Sequence, residues 1–301
     1  MQNFAHDLFL TKNHINNKKY TNKSIRRETR NILPKKNWGQ NFLSDTTIIE
    51  QIFHAIPSNI GESILQKKIR LIEIGIGLGD LTKRLALKYP LLCYEIDTRL
   101  IALAKQNLAN ELTAQQVVIL EADALHIRSG NGYLFESEYF LVSNLPYYIA
   151  TSIILQTLRD SLCTGFLVMT QKEVAQKFCA KVHNKEYCAL SVISEILGEI
   201  HYLFDVLPQS FIPQPKVDSA VFCFERTRDL LPVHLESILK YAFLSPRKKL
   251  FSNLTKWDWL GRVGTQEIFD AFNLPETIRA HEVSSEQYCK IADFTLTLNK
   301  G

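Results

Sequence analysis

The residues of this 301-residue chain best suited to chemistry fall in a few short groups. The first is Gly75-Ile76-Gly77-Leu78-Gly79-Asp80, directly after the apolar run Ile69–Ile74, which ends in Glu73-Ile74. A glycine-rich turn after a strand lets the backbone approach a nucleotide closely. A dinucleotide fingerprint needs glycines at relative positions 1, 3 and 6, with helix N-terminal amides cradling a pyrophosphate. Here the third glycine comes at position 5 and an acid, Asp80, stands at the sixth, where it would repel phosphate. A ligand without phosphate, carrying an amino-acid group and an adenosine, fits better, and S-adenosylmethionine is the common one. The alternative is a purely structural turn. Glu95, at the end of the second apolar run Leu91–Ile96, is placed to accept hydrogen bonds from ribose hydroxyls. Asp123 ends the third run and could accept from an adenine amino group. Asp97 reads instead as the N-cap of a helix starting near Thr98.

The second group is Asn144-Leu145-Pro146-Tyr147, at the end of the run Tyr139–Ser143. An amide, a proline and an aromatic at a strand end suit a planar base with an exocyclic amine. The Asn144 side-chain oxygen and the Leu145 carbonyl can accept the two amine hydrogens. Pro146 stiffens the turn, and Tyr147 offers a stacking face to a base taken out of its stack. The alternative is a proline turn with ordinary aromatic packing.

These groups need strand ends to hold them. Strand-length apolar runs recur at Ile69–Ile74, Leu91–Ile96, Val117–Leu120, Tyr139–Val142 and Phe166–Met169, with helical stretches at Leu81–Lys88 and Leu100–Leu108 between the first three. Strand and helix alternating in this way predict an α/β fold with a parallel sheet. An earlier helix capped by Asp45 is expected to stop at Pro57 and Gly61. His201–Val206 and Ala220–Phe224 could add antiparallel edge strands. After about residue 230 the pattern turns helical, at Val233–Phe243, Glu267–Phe272 and Ser285–Leu298. The expected organisation is a basic flexible arm over 1–34, an α/β domain over 35–228 and a smaller helical domain over 229–301, in line with about 150 residues per domain.

Composition bounds the classes. Apolar residues make up 46% and charged residues 22%, a globular balance. No run of 18 apolar residues occurs, which excludes a spanning helix. The net charge is only +4, but residues 1–36 hold nine Lys or Arg against two acids, net +7, and residues 37–225 hold 15 against 20, net −5. A basic arm on an acidic body suggests an anionic partner or a solvated tail. The six cysteines include no C-x-x-C pair, so a metal site is poorly supported. Cys93 and Cys223 sit in apolar runs as small buried hydrophobes, which fits reduced thiols in the cytoplasm.

Glu73-Ile74-Gly75-Ile76-Gly77 followed by Asn144-Leu145-Pro146-Tyr147 resembles the ribosomal RNA adenine N6-dimethyltransferases. The resemblance runs from about Lys35 to Asp293. Gly39-Gln40-Asn41-Phe42-Leu43 is similar to that family's opening motif, and Phe211-Ile212-Pro213-Gln214-Pro215-Lys216-Val217-Asp218-Ser219 to its late loop. Arg279-Ala280-His281-Glu282-Val283 resembles the housekeeping branch, which methylates two adjacent adenines near the 3′ end of small-subunit rRNA. The resemblance implies a Rossmann-like S-adenosylmethionine-dependent methyltransferase domain. It implies cofactor contacts at Asn41, Leu43, Gly75, Gly77, Glu95, Asp123 and Asn144. The catalytic pocket would comprise Asn144, Leu145, Pro146, Tyr147 and Phe211, the last flanking the target adenine. RNA contacts are expected at Lys35, Lys36, Arg247, Lys248 and Lys249, and the partners would be small-subunit rRNA and the immature 30S subunit, with the enzyme a monomer. Ile76, His183-Asn184, Cys188 and Pro246 depart from the family pattern. An RNA-binding assembly checkpoint factor, with methylation secondary, is the competing function.

Overall fold

The computed structural model describes residues 40–298. The arm, Lys35, Lys36 and Gly39 therefore lie outside the described residues. In chain order the elements are β1 (Phe42–Leu43), α1 (Thr46–His54), α2 (Ser58–Leu65), β2 (Arg70–Ile74), α3 (Asp80–Ala86), β3 (Leu91–Glu95), α4 (Thr98–Asn107), α5 (Ala109–Thr113), β4 (Val117–Glu121), β5 (Tyr139–Asn144), α6 (Ala150–Arg159), β6 (Cys163–Gln171), α7 (Lys172–Cys179), α8 (Ala189–Leu197), β7 (Gly198–Val206), β8 (Phe211–Ile212) and β9 (Ser219–Arg226). Helices α9 (Leu235–Ala242), α10 (Leu250–Leu254), α11 (Gly261–Ala271) and α12 (Ser285–Thr295) close the chain.

Seven strands form one sheet in the order β4-β3-β2-β5-β6-β9-β7. The five from β4 to β6 are parallel, while β9 runs antiparallel to both β6 and β7. The chain leaves β2 to one side, through β3 and β4, and returns on the other side at β5. The order therefore reverses between β2 and β5, and the crevice beyond the carboxyl ends of such strands is where open α/β sheets take ligands. Both late strands are antiparallel as expected, but only β7 is an edge. β9 inserts between β6 and β7, and its inner residues Ala220, Val221, Phe222 and Phe224 are fully buried.

Successive residues along each strand feed opposite faces. Leu71, Cys93, Phe140 and Leu167 join the buried cluster under α1–α4. Ile72, Tyr94, Leu141 and Phe166 join the other, with α6–α8. That second cluster runs without a break into Leu235, Ile238, Tyr288 and Ile291 of the C-terminal helices. The described residues belong to one compact unit. The Arg226 guanidinium joins its parts, donating to the carbonyls of Thr157 and Leu158 in the last turn of α6, of Asp160 just past it, and of Cys163 on β6.

Two helix boundaries differ from expectation. Pro57 starts α2 rather than ending α1, as suits a residue with a fixed φ and no N–H to satisfy. Gly61 lies inside α2 because Tyr89 crosses it: a Cβ there would sit 2.7 Å from the Tyr89 hydroxyl. Asp45 does cap α1, accepting from the Thr47 N–H at 2.9 Å. Among the described residues, no helix is long and apolar enough to cross a membrane.

Candidate active site

A cavity opens at the carboxyl ends of β2, β3 and β5, roofed by residues 40–43. Its floor is the glycine turn. Gly75, Gly77 and Gly79 all have positive φ, at 74°, 57° and 89°, which glycine adopts without strain. Pro146 packs over Gly75, where a Cβ would lie 3.5 Å from the proline ring, and Phe42 packs over Gly77. The glycine turn, the Asn144–Tyr147 turn and the segment 40–43 thus close on one space. The Ser143 hydroxyl ties two of them, donating to the Ile74 carbonyl at 2.6 Å.

Three acids line this space: Glu73, Asp80 and Glu95. The Glu95 carboxylate accepts from the N–H groups of Ile96 and Asp97 at 2.9 and 3.0 Å, and from Gly77 at 3.3 Å. It therefore braces the glycine turn as well as facing the cavity. Burial raises its pKa, against the lowering effect of those backbone donors. Glu73 is 2% exposed, and burial pushes its carboxyl up to about 8, with the nearby Glu95 and Asp80 charges adding to the shift. Asp97 is the N-cap of α4, accepting from the Arg99 N–H. The Arg99 guanidinium grips both its oxygens, Gln40 donates to one of them, and its pKa falls to about 2.

Asn41, Leu43, Gly75, Gly77, Glu95, Asn144, Leu145, Pro146 and Tyr147 all line the cavity. The Asn144 Nδ2 donates to the Asn41 backbone carbonyl at 3.4 Å, so Oδ1 is the atom of that amide left to accept. Leu145 is held from behind by its N–H on the Met169 carbonyl. The Tyr147 hydroxyl is 2.5 Å from Ser219 Oγ.

Two expected residues do not line it. Phe211 is 1% exposed, because β8 pairs with β1, Leu43 opposite Phe211, and its ring is drawn into the core under the sheet. Asp123 spends its carboxylate on its own turn: Oδ1 accepts from the Leu125 N–H at 3.0 Å and Oδ2 lies 2.8 Å from His126 Nδ1. Burial, and after it the charges of Asp123 and Glu95, raise the pKa of Tyr148, which lines the cavity. Arg247, Lys248 and Lys249 are exposed together between α9 and α10 and do not line the cavity. The structure adds Ile96, an exposed isoleucine beside Glu95, and Gln40, the partner of Asp97. Nothing in the sequence marks Ile96, which reads there as the last residue of the apolar run Leu91–Ile96.

Residues 32–296 match the family described as ribosomal RNA adenine dimethylase. The chain belongs to that family. A curated relative, ribosomal RNA small subunit methyltransferase A of Helicobacter hepaticus, is 43% identical over 266 residues, covering 86% of this chain and 90% of the relative. The protein of that name from Campylobacter jejuni strain RM1221 is 40% identical over 87% of this chain and 95% of its own length. In fold, this dimethylase-family chain is similar to a dimethyladenosine transferase from Plasmodium falciparum (TM-score 0.69, 20% identity, 85% of this chain and 98% of that one). The 23S rRNA methyltransferase ErmE is also similar (TM-score 0.62, 23% identity, 84% and 98%). The Rossmann-like methyltransferase fold and the rRNA-modifying enzyme class expected from the motifs are those of the family.

Proposed function

We propose that this chain uses S-adenosylmethionine to place two methyl groups on N6 of each of two adjacent adenosines near the 3′ end of small-subunit rRNA. It would act as a cytoplasmic monomer on the immature 30S subunit. The observation that carries the reading is Asn144: its Nδ2 is held by the Asn41 carbonyl, so its oxygen is left to receive an amine.

The donor set suits the cofactor. Asp80 and Glu95 beside one space oppose a pyrophosphate and favour a cation, with Glu73 held neutral by burial, and S-adenosylmethionine carries positive charge on its sulfonium and its ammonium. Glu95 would take the ribose hydroxyls, Gly75 and Gly77 would let the ligand approach the backbone, and Asn41 and Leu43 would cover it. Asp123 would act from the mouth. Bound, the cofactor supplies an electrophilic methyl group.

The rest falls to the chain. The adenine N6 lone pair is delocalised into the ring and is a poor nucleophile. Acceptors at Asn144 Oδ1 and the Leu145 carbonyl favour an amine with more tetrahedral character, and they stabilise the positive charge that develops on it. Pro146 holds those acceptors at a fixed spacing and Tyr147 stacks on the base. Orientation of this kind is worth roughly 7–11 kcal/mol in well-aligned pairs. The proton leaves to water after transfer. Phe211 supports the pocket from behind, through the β1–β8 pairing, rather than facing the adenine. Arg247, Lys248 and Lys249 would contact phosphates, which gives affinity without sequence choice, and residues 229–301 would be the RNA-binding part.

Asn144→Ala should lower turnover on immature small subunits by about 100-fold while subunit binding in a filter assay changes little. Wild-type turnover in that variant would overturn the assignment.

A further inference from the structure

In the proposed function Tyr147 is the stacking face, and any role for its hydrogen-bond partner rests on that function. A tyrosine ring hangs on two rotatable bonds, so a stacking face on a loop needs a second point of attachment. The structure supplies one. The Tyr147 hydroxyl meets Ser219 Oγ at 2.5 Å, across 72 positions of sequence. Ser219 does not line the cavity and is fully buried. It is the first residue of β9, with Gln171 of β6 opposite on one side and Val206 of β7 on the other. The residue before it is fixed as well, since the Asp218 carbonyl accepts from the Lys172 N–H at 2.9 Å. The serine therefore sits where three strands meet, while its partner sits on the turn after β5.

We propose that Ser219 is a positioning residue for methyl transfer, pinning the far end of the Tyr147 ring to the sheet. The near end is held by the turn, where the Ile149 N–H donates to the Pro146 carbonyl at 3.1 Å. The pin also links two walls. Ser219 ends the loop that begins at β8, and β8 pairs with β1, whose Leu43 covers the cavity. The ring that stacks on the base and the strand that covers the ligand are thus referenced to one point. Dimethylation calls on this alignment twice, first for a bare amine and then for a bulkier monomethylated one. A ring free to tilt costs the second transfer more than the first.

The test is kinetic, on immature small subunits with S-adenosylmethionine, with the nucleosides read by mass spectrometry. Ser219→Ala, Tyr147→Phe, the double variant and Tyr147→Ala are compared with wild type. Losing the one hydrogen bond should lower kcat by about 10-fold in Ser219→Ala and in Tyr147→Phe. KM for the subunit should move less than about twofold, since the bond acts on alignment rather than on RNA affinity. Both single variants should raise the share of monomethyladenosine. The double variant should be no worse than either single one, because both remove the same bond. A merely structural role for Ser219 would not reproduce its effect in Tyr147→Phe. Should Ser219→Ala fail to fold, Tyr147→Phe, on a part-exposed turn, tests the bond by the same readouts. Wild-type kcat and product ratio in the folded single variants, or effects that multiply in the double, would overturn the inference. Tyr147→Ala separates the two levels. Wild-type turnover there would overturn the stacking role itself. An inactive Tyr147→Ala beside normal Tyr147→Phe and Ser219→Ala would overturn only the pin.

Discussion

Replacing Glu73 by Gln probes the electrostatics beneath the glycine turn. Glu73 sits on β2 two residues before Gly75, 2% exposed, and burial pushes its carboxyl up to about 8. The ordinary value is 4.5. Between those two values the folded chain keeps a proton that the unfolded chain has released. The native state then binds more protons than the unfolded state, so stability falls as pH rises, by up to about 1.4 kcal/mol per unit. The fall begins above the unfolded value and is complete once pH has passed the folded one. From pH 5.5 to 7.5 the group alone should remove about 2–3 kcal/mol. Gln has no proton to lose and nearly the same shape. Urea unfolding of both proteins at the two pH values gives four free energies. The wild type should lose about 2–3 kcal/mol more than Glu73→Gln across the interval. Asp97, lowered to about 2, stays ionised throughout, and groups common to both proteins cancel. Parallel profiles, differing by less than about 0.5 kcal/mol, would refute the claim that Glu73 is held neutral at the cavity floor.

Glu95→Ala removes the carboxylate assigned to the ribose and the brace on Gly77, and should weaken S-adenosylmethionine binding by about 10–100-fold in a calorimetric titration; unchanged affinity would remove Glu95 from the site. Changing Arg247, Lys248 and Lys249 together to Ala should weaken binding of small-subunit RNA and reduce the salt dependence of log K by about 2–3. A salt titration with an unchanged slope would show that these exposed cations contact no phosphate.

The parallel half of the sheet was legible because β3, β4, β5 and β6 hold unbroken apolar runs and end in polar residues at one edge, while β2 carries its acid, Glu73, one residue before its end. The acids and the Asn144–Tyr147 turn could therefore be placed at strand ends from the sequence alone. Asp97 was legible as a cap for the same local reason. Features set by contacts distant in sequence were not. Gly61 looks like a helix stop, but its cause is Tyr89, 28 positions later. The central place of β9 follows from pairing on both sides, which periodicity does not encode. The sequence pattern predicts no helix over α6, α7 or α8, whose apolar residues lie between the strand runs. Phe211 reads as a site aromatic by motif, yet pairing of two-residue strands carries its ring into the core. Asp123 occupies the right strand end, but its carboxylate turns back on the next residues of the chain.

A cavity that makes dimethyladenosine in small-subunit rRNA must leave its mark on that rRNA. Mass spectrometry of small-subunit rRNA from a strain lacking the chain reads that mark. Both adjacent dimethyladenosines near the 3′ end should be lost, then restored by the wild-type chain and not by Asn144→Ala. Unchanged dimethyladenosine in the deletion strain would contradict the proposed function.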